Sequence, residues 1–97
     1  MNLFEYIPPE AGENFTTLLE HKNIKIQRIV SSENPDGITY VQEEDEWVVL
    51  LEGEATLYLN GREKTLTRGE SLFIPAKTPH KVLKTQRGTL WLAVHIF

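Results

Sequence analysis

Cysteine is absent from the 97-residue chain. Without thiols, the protein forms no disulfide, has no thiolate-bound zinc and has no cysteine nucleophile. No apolar run approaches the roughly 18 residues of a membrane-spanning helix. Residues 1–9 have neither the basic start nor the apolar stretch of a signal peptide. We therefore expect a cytoplasmic protein with no membrane partner.

An excess of basic residues is also missing. The chain has 10 lysines and arginines against 14 aspartates and glutamates, for a net charge of −4. With no basic patch, binding to nucleic acid is not expected. The chain is 40% hydrophobic and 25% charged, which is typical of a globular protein, and its length suits one domain over residues 1–97.

Short strands separated by turn residues are predicted for most of the chain. Residues 46–51 form a continuous apolar strand behind one acid, Glu46, which is typical of a strand buried on both faces. Asn60-Gly61 predicts a tight hairpin, because a type I′ turn needs positive φ at both central residues. The predicted strands are 23–31, 38–42, 46–51, 55–60, 63–67, 71–74, 79–84 and 89–97. About eight strands at this spacing favour a sandwich or barrel.

The segment before these strands allows two interpretations. Residues 8–20 suit a short helix, and residues 15–20 equally suit an edge strand. We expect residues 1–20 to form an N-terminal arm or edge strand. The motifs described next lie in residues 37–97.

Two spaced motifs resemble those of the small single-domain cupins. Glu46 is followed by six residues and Gly53, and Gly69 is followed by five residues, Pro75 and then His80. They match parts of the cupin patterns G(X)5HXH(X)3-4E(X)6G and G(X)5PXG(X)2H(X)3N. The resemblance implies an all-β fold, a double-stranded β-helix (jelly-roll-like) barrel of about eight strands with a pocket between two sheets.

The motif departs from the family pattern where a cupin binds its metal. The resemblance puts Tyr40 and Gln42 at the two histidine positions, and Lys77 at a glycine position. The three-histidine, one-glutamate metal site of cupins then corresponds to Tyr40, Gln42, Glu46 and His80. Phenol and amide oxygens bind transition metals weakly compared with imidazole. The resemblance thus implies at most a weak site for one divalent ion (Zn, Ni, Mn or Fe).

The same four side chains suit a pocket for an organic ligand. Tyr40 and Gln42 are two residues apart and share one face of a strand. A carboxylate on the inner face, such as Glu46, must be paired, hydrogen-bonded or bound to a cation. His80 is its expected partner, and a position at the rim in water is the alternative. Of the four consecutive acids 43–46, we expect the first three to lie in water.

His95 has two possible orientations on the last strand. Trp91, Ala93 and His95 share one face, whereas the opposite face is entirely aliphatic. If the aliphatic face packs in the core, His95 points outward or into an interface. If the Trp91 face lines the interior, His95 joins the ligand-binding set. The sequence leaves both open.

Two functional hypotheses follow. The first is a binding protein for a polar small molecule, such as a sugar or carboxylate. The alternative is a metal-dependent cupin enzyme of the isomerase or oxygenase type, with His80 and Glu46 as the candidate catalytic residues. We also expect a homodimer, because Trp47, Val49 and Leu51 should point out of the barrel and need a cover. The N-terminal segment is the alternative cover.

Overall fold

The structure is a computed structural model that describes residues 1–97. It contains eight strands and no helix, which confirms the predicted all-β fold. The strands are β1 (Glu13–His21), β2 (Ile24–Ser31), β3 (Asp45–Glu52), β4 (Glu54–Leu59), β5 (Arg62–Thr67), β6 (Ser71–Ile74), β7 (His80–Thr85) and β8 (Thr89–Ile96). No segment forms a helix of the length and apolarity needed to cross a membrane.

The strands form two antiparallel sheets that face each other in a jelly-roll-like barrel. One sheet has the order β1-β2-β8-β3-β6 and the other has the order β5-β4-β7. The core lies between them and consists of nine buried side chains: Ile29, Val48, Leu50, Ala55, Leu57, Leu66, Ile74, Trp91 and Ala93. Alternating residues of each strand therefore point into the barrel, as strand geometry requires.

The hairpin between β4 and β5 has the predicted turn. Asn60 has φ 46° and Gly61 has φ 89°, so both central residues lie in the left-handed region. Leu59 pairs with Arg62 across the turn. The Asn-Gly signal was sufficient here because few other residues adopt this conformation without strain.

One predicted strand is wrong. Residues 38–42 form no strand, and their only ladder contact is an isolated bridge between Tyr40 and His80. The segment follows Pro35 and Gly37, which has φ 72°, and such turn residues interrupt a regular strand. The eighth strand is β1, which pairs with β2 at the edge of the larger sheet.

The face of β8 that looked like core points out of the barrel. Trp91 and Ala93 are buried inside, whereas Leu92 and Val94 on the aliphatic face are half-buried. The N-terminal segment runs along the outside of this sheet. There the Arg28 guanidinium of β2 donates hydrogen bonds to the backbone carbonyls of residues 2, 3 and 5. The aliphatic face is therefore partly covered by the arm, and His95 turns inward.

Candidate functional site

A cavity of about 140 Å³ lies between the two sheets. Its floor is apolar and includes Val48, Leu57 and Trp91. Its polar lining consists of Glu13, Gln27, Tyr40, Gln42, Glu46, His80 and His95. No lysine or arginine lines it. The structure thus brings all five residues of the sequence-based ligand set into one cavity, and their role in binding stays a prediction.

Tyr40 and His80 form a pair at the cavity wall. Their backbones exchange two hydrogen bonds, Tyr40 N to His80 O at 2.8 Å and His80 N to Tyr40 O at 3.0 Å. Their rings stack with centroids 5.9 Å apart and planes 26° from parallel. The bridge therefore attaches the irregular segment before β3 to the start of β7.

Backbone contacts fix the tautomer of His80. Its Nδ1 lies 2.9 Å from the carbonyl oxygen of Thr78. A carbonyl only accepts, so Nδ1 carries the hydrogen and, in the neutral ring, Nε2 holds the free lone pair. The side chain is buried, at 7% exposure. His80 therefore offers an oriented acceptor to a cavity ligand.

The Glu46 side chain is hydrogen-bonded by the Gln42 amide and not by His80, its predicted partner. It lies on the inner face of β3 with 6% exposure. Gln42 Nε2 donates a hydrogen bond to Glu46 Oε1 at 3.0 Å. The charge-assisted bond offsets part of the cost of burying the carboxylate. This contact also fixes the orientation of the Gln42 amide, whose oxygen is left to accept.

His95 lies among the acids of the run 43–46, which leads into β3. Its Nδ1 is 2.9 Å from Glu44 Oε2 and 3.9 Å from Glu46 Oε1. The ring nitrogens nevertheless make no hydrogen bond of acceptable angle, although both are buried. The contact with Glu44 is therefore a close approach without hydrogen-bond geometry. The expectation that Glu44 lies in water is wrong, since its side chain is only 15% exposed.

The other two acids of the run also differ from each other. Asp45 Oδ1 accepts a hydrogen bond from the backbone N–H of Ala76 at 2.8 Å, which ties β3 to the loop after β6. Glu43 is exposed and lies 3.8 Å from the ammonium group of Lys77. Only Glu43 therefore matches the expected solvated acid, because its neighbours make contacts that the charge pattern does not encode.

Tyr40 keeps its proton. Burial raises the pKa of its hydroxyl above the ordinary value, and the hydrogen bond and charge of Asp36, together with the charge of Glu13, raise it further. The hydroxyl donates to Asp36 Oδ2 at 3.1 Å. Tyr40 therefore meets a ligand as a neutral hydrogen-bond acceptor.

Glu13 and Gln27 were missed from the sequence. Both lie on the N-terminal hairpin of β1 and β2, outside the two motifs. Burial is the main cause that raises the pKa of the Glu13 carboxyl, and the charges of Asp36 and Glu46 add to it, against a lowering by the Ser31 hydrogen bond. In the predicted strand 23–31, Gln27 is two residues before Ile29 and shares its face, which is the only sequence signal for Gln27. No local pattern indicates Glu13.

The donor set does not fit a cupin metal. No three histidine, aspartate or glutamate side chains are grouped so that they surround one point. Tyr40 is held protonated beside Asp36, and the Gln42 amide nitrogen faces Glu46. The four positions that correspond to the family's ligands thus bond to neighbouring residues.

Comparison with known proteins gives one family and many structures. The family described as "Cupin domain" matches residues 34–95. No curated protein matches the chain. A candidate mannose-6-phosphate isomerase from Ralstonia eutropha JMP134 is 38% identical, with a TM-score of 0.87 over 99% of this chain and 95% of that one.

Two more distant structures share the fold. An RmlC-like cupin from Shewanella frigidimarina NCIMB 400 is 20% identical, with a TM-score of 0.80 over 95% of this chain and 82% of that one. The Fe(II) form of HppE is also 20% identical, with a TM-score of 0.77 over 88% of this chain and 50% of that one. At this identity the likeness concerns the fold alone.

Proposed function

The chain belongs to the cupin family, and from this premise we propose that it binds a small, neutral, polyhydroxylated molecule such as a monosaccharide. The observation that carries the proposal is the arrangement of polar groups above an apolar floor in one cavity. Small-molecule sites typically combine such a floor with a few oriented polar groups. Here the His80 lone pair, the Gln42 amide oxygen and the Tyr40 hydroxyl oxygen are available as acceptors for sugar hydroxyls.

The charge of the cavity favours a neutral ligand. Glu46 lines it, Glu44 lies beside His95, and no lysine or arginine lines it. A phosphate or carboxylate would face like charges in a partly dry site, where Coulomb repulsion is stronger than in water. The free sugar is therefore preferred over its phosphate ester, although a structural relative is described as a candidate isomerase of mannose 6-phosphate.

The size of the cavity suits a single ring. Its volume is about 140 Å³. An engineered apolar cavity of about 150 Å³ holds benzene. One six-membered ring therefore fills the space between the sheets, and Trp91 in the floor gives it an aromatic surface.

Calorimetry with D-mannose and D-mannose 6-phosphate tests the proposal. We expect D-mannose to bind more tightly than its phosphate. The Gln42→Ala variant should weaken D-mannose binding about 3- to 10-fold, as expected for one lost hydrogen bond. His21→Ala, at an exposed position at the end of β1, is the matched control and should bind like wild type. Tighter binding of the phosphate would contradict the choice of a neutral ligand.

The metal-dependent alternative makes a separate expectation. An isomerase or oxygenase of that type needs a divalent ion at His80 and Glu46, and the donor geometry gives it no support. Elemental analysis of untagged protein purified without added metal decides between the two. Stoichiometric metal that disappears in both His80→Ala and Glu46→Gln would replace the binding proposal with the metal-dependent one.

A homodimer and a cytoplasmic location complete the proposal. Trp47 and Phe73 pair across β3 and β6 on the outside of the larger sheet and are 40% and 53% exposed. The N-terminal arm accepts hydrogen bonds from Arg28 on β2, which lies towards the opposite edge of that sheet. A second copy is our proposed cover for Trp47 and Phe73.

A further inference from the structure

We propose that Glu13 is a further ligand-binding residue of the cavity and donates a hydrogen bond from its carboxyl group to a hydroxyl oxygen of the ligand. The inference rests on the proposed function, because it names an additional group in the same cavity. Glu13 lies outside residues 34–95, which match the family. It therefore belongs to none of the motif positions.

Sheet register places Glu13 at the end of a hydrogen-bond relay of three side chains, Glu13, Ser31 and Trp91, each on a different strand. Glu13 of β1 lies directly opposite Ser31 of β2, and Ser31 lies opposite Thr89, two residues before Trp91 on β8. Directly opposite and diagonal neighbours lie on the same face of a sheet. The side chains of Glu13, Ser31 and Trp91 therefore meet on the inner face.

The hydrogen bonds of the relay have one direction. The Trp91 indole N–H donates to Ser31 Oγ at 2.9 Å, and the Ser31 hydroxyl donates to Glu13 Oε2. An indole nitrogen can only donate, so the serine oxygen accepts from it and passes its own hydrogen to the carboxyl group. Ser31 is fully buried and Trp91 is 3% exposed. The relay therefore holds Oε2 as an acceptor.

The other carboxyl oxygen is free for a ligand. The structure gives Glu13 Oε1 no hydrogen-bond partner in the protein, and the residue lines the cavity. If the carboxyl group is neutral, Ser31 occupies Oε2 and the hydrogen lies on Oε1. The O–H then donates to a ligand oxygen. Tyr40, Gln42 and His80 supply acceptors at the same cavity, so Glu13 adds the donor that a sugar hydroxyl also needs.

The surroundings favour the neutral carboxyl group. Burial raises the pKa of Glu13, and the charges of Asp36 and Glu46 raise it further, while the Ser31 bond lowers it. The other titratable groups lining the cavity are Tyr40, His80 and His95. A neutral ligand brings no positive charge that would favour the ionised carboxylate. Glu13 therefore keeps its proton when such a ligand binds.

Two substitutions at Glu13 separate donation from mere packing. Glu13→Gln keeps both a donor and an acceptor, and we expect its affinity for D-mannose to stay within about twofold of wild type at pH 5. Glu13→Ala should bind D-mannose about 3- to 10-fold more weakly, as for one lost hydrogen bond. Glu20→Ala, on the same strand and 68% exposed, is the matched control and should bind like wild type.

A pH series gives a readout that would not change if Glu13 had only a structural role. Wild type should lose affinity for D-mannose relative to Glu13→Gln as the pH rises and the Glu13 proton leaves, because the amide keeps its donor. The other groups of the cavity are the same in both proteins, so the ratio of the two affinities isolates Glu13. This ratio decides the question even if Glu13→Ala does not fold.

The outcomes distinguish this inference from the proposed function. If wild type binds no D-mannose, the proposed function fails, and the inference that rests on it fails too. If wild type binds and Glu13→Ala binds equally well, only the role of Glu13 is overturned. If Glu13→Gln binds as weakly as Glu13→Ala at pH 5, the carboxylate accepts hydrogen bonds and the donor role is overturned.

Discussion

Two glutamates inside the barrel are accommodated by different neighbours. Glu46 accepts from the Gln42 amide and lies near His95. Glu13 accepts only from Ser31, and burial raises its pKa. A buried carboxylate without a donor or a cation costs several kcal/mol. The two side chains therefore have different relations to pH and to substitution.

Stability should depend on pH through Glu13. The raised pKa means that the folded protein holds this proton more tightly than the unfolded chain does. Its contribution to stability is then complete below the ordinary value of 4.5 and is lost as the pH rises through the raised pKa. We expect Glu13→Gln to gain stability relative to wild type between pH 4 and pH 8, measured by urea unfolding. An equal difference at both pH values would contradict this expectation.

Removal of the Gln42 amide should expose the cost of burying Glu46. Gln42→Leu leaves Glu46 Oε1 without its donor, and we expect a loss of about 1–3 kcal/mol in the free energy of unfolding. The double variant with Glu46→Leu should recover part of this loss, because the charge is then gone. Urea unfolding of both variants is the measurement, and an unchanged stability in Gln42→Leu would show that water replaces the amide.

At the scale of elements, the sequence predicted what local chemistry encodes. The run of β3, the Asn60-Gly61 turn and the short strands after it follow from apolar runs and turn residues. The predicted strand over 38–42 was wrong because the prediction rested on β-branched residues, and a strand also needs a neighbouring strand to pair with. The inward face of β8 stayed open because an aliphatic face suits either the core or a surface covered by the arm.

The site was predictable only in its motif half. Tyr40, Gln42, Glu46 and His80 follow from motif spacing, and all line the cavity. Glu13 was missed because its relevance depends on the register of β1 against β2, and no local pattern fixes that register. Gln42, rather than His80, bonds Glu46 because the loop brings the amide within 3.0 Å.

The turn between β3 and β4 provides a test of backbone constraint. Gly53 has φ 90°, and a Cβ there would lie 2.5 Å from Thr89 Oγ1 and 2.9 Å from Thr89 Cα. Gly53→Ala combines left-handed strain with a clash against backbone, so we expect a loss of about 2–4 kcal/mol. Gly61→Ala has a similar φ but open space, and should lose only about 1–2 kcal/mol. Equal losses in thermal or urea unfolding would show that the Thr89 contact relaxes.

At the scale of the whole molecule, the two faces of the larger sheet have different surroundings. The inner face lines the cavity, whereas the outer face is crossed by the N-terminal arm on β2 and exposes Trp47 and Phe73 on β3 and β6. Contiguous exposed apolar surface marks interaction sites when it is large enough. This asymmetry is the reason for proposing a second copy at the β3–β6 side.

Light scattering coupled to size-exclusion chromatography tests the dimer. We expect twice the mass of one chain at micromolar concentration. Phe73→Asp should shift the protein to one chain, because it places a charge in the proposed interface, while Tyr58→Asp, at an exposed position on the opposite sheet, is the control and should not. If the wild-type protein has the mass of one chain, the proposed dimer is wrong.

The hairpin of β1 and β2 lies outside residues 34–95, which match the family, yet Glu13, Gln27 and Ile29 line the cavity. Part of the cavity lining therefore lies outside the residues that match the family. Two relatives with the same motif but different first hairpins can enclose different molecules. A ligand assignment should therefore be transferred between such relatives only after the residues aligned with 13, 27 and 29 have been compared.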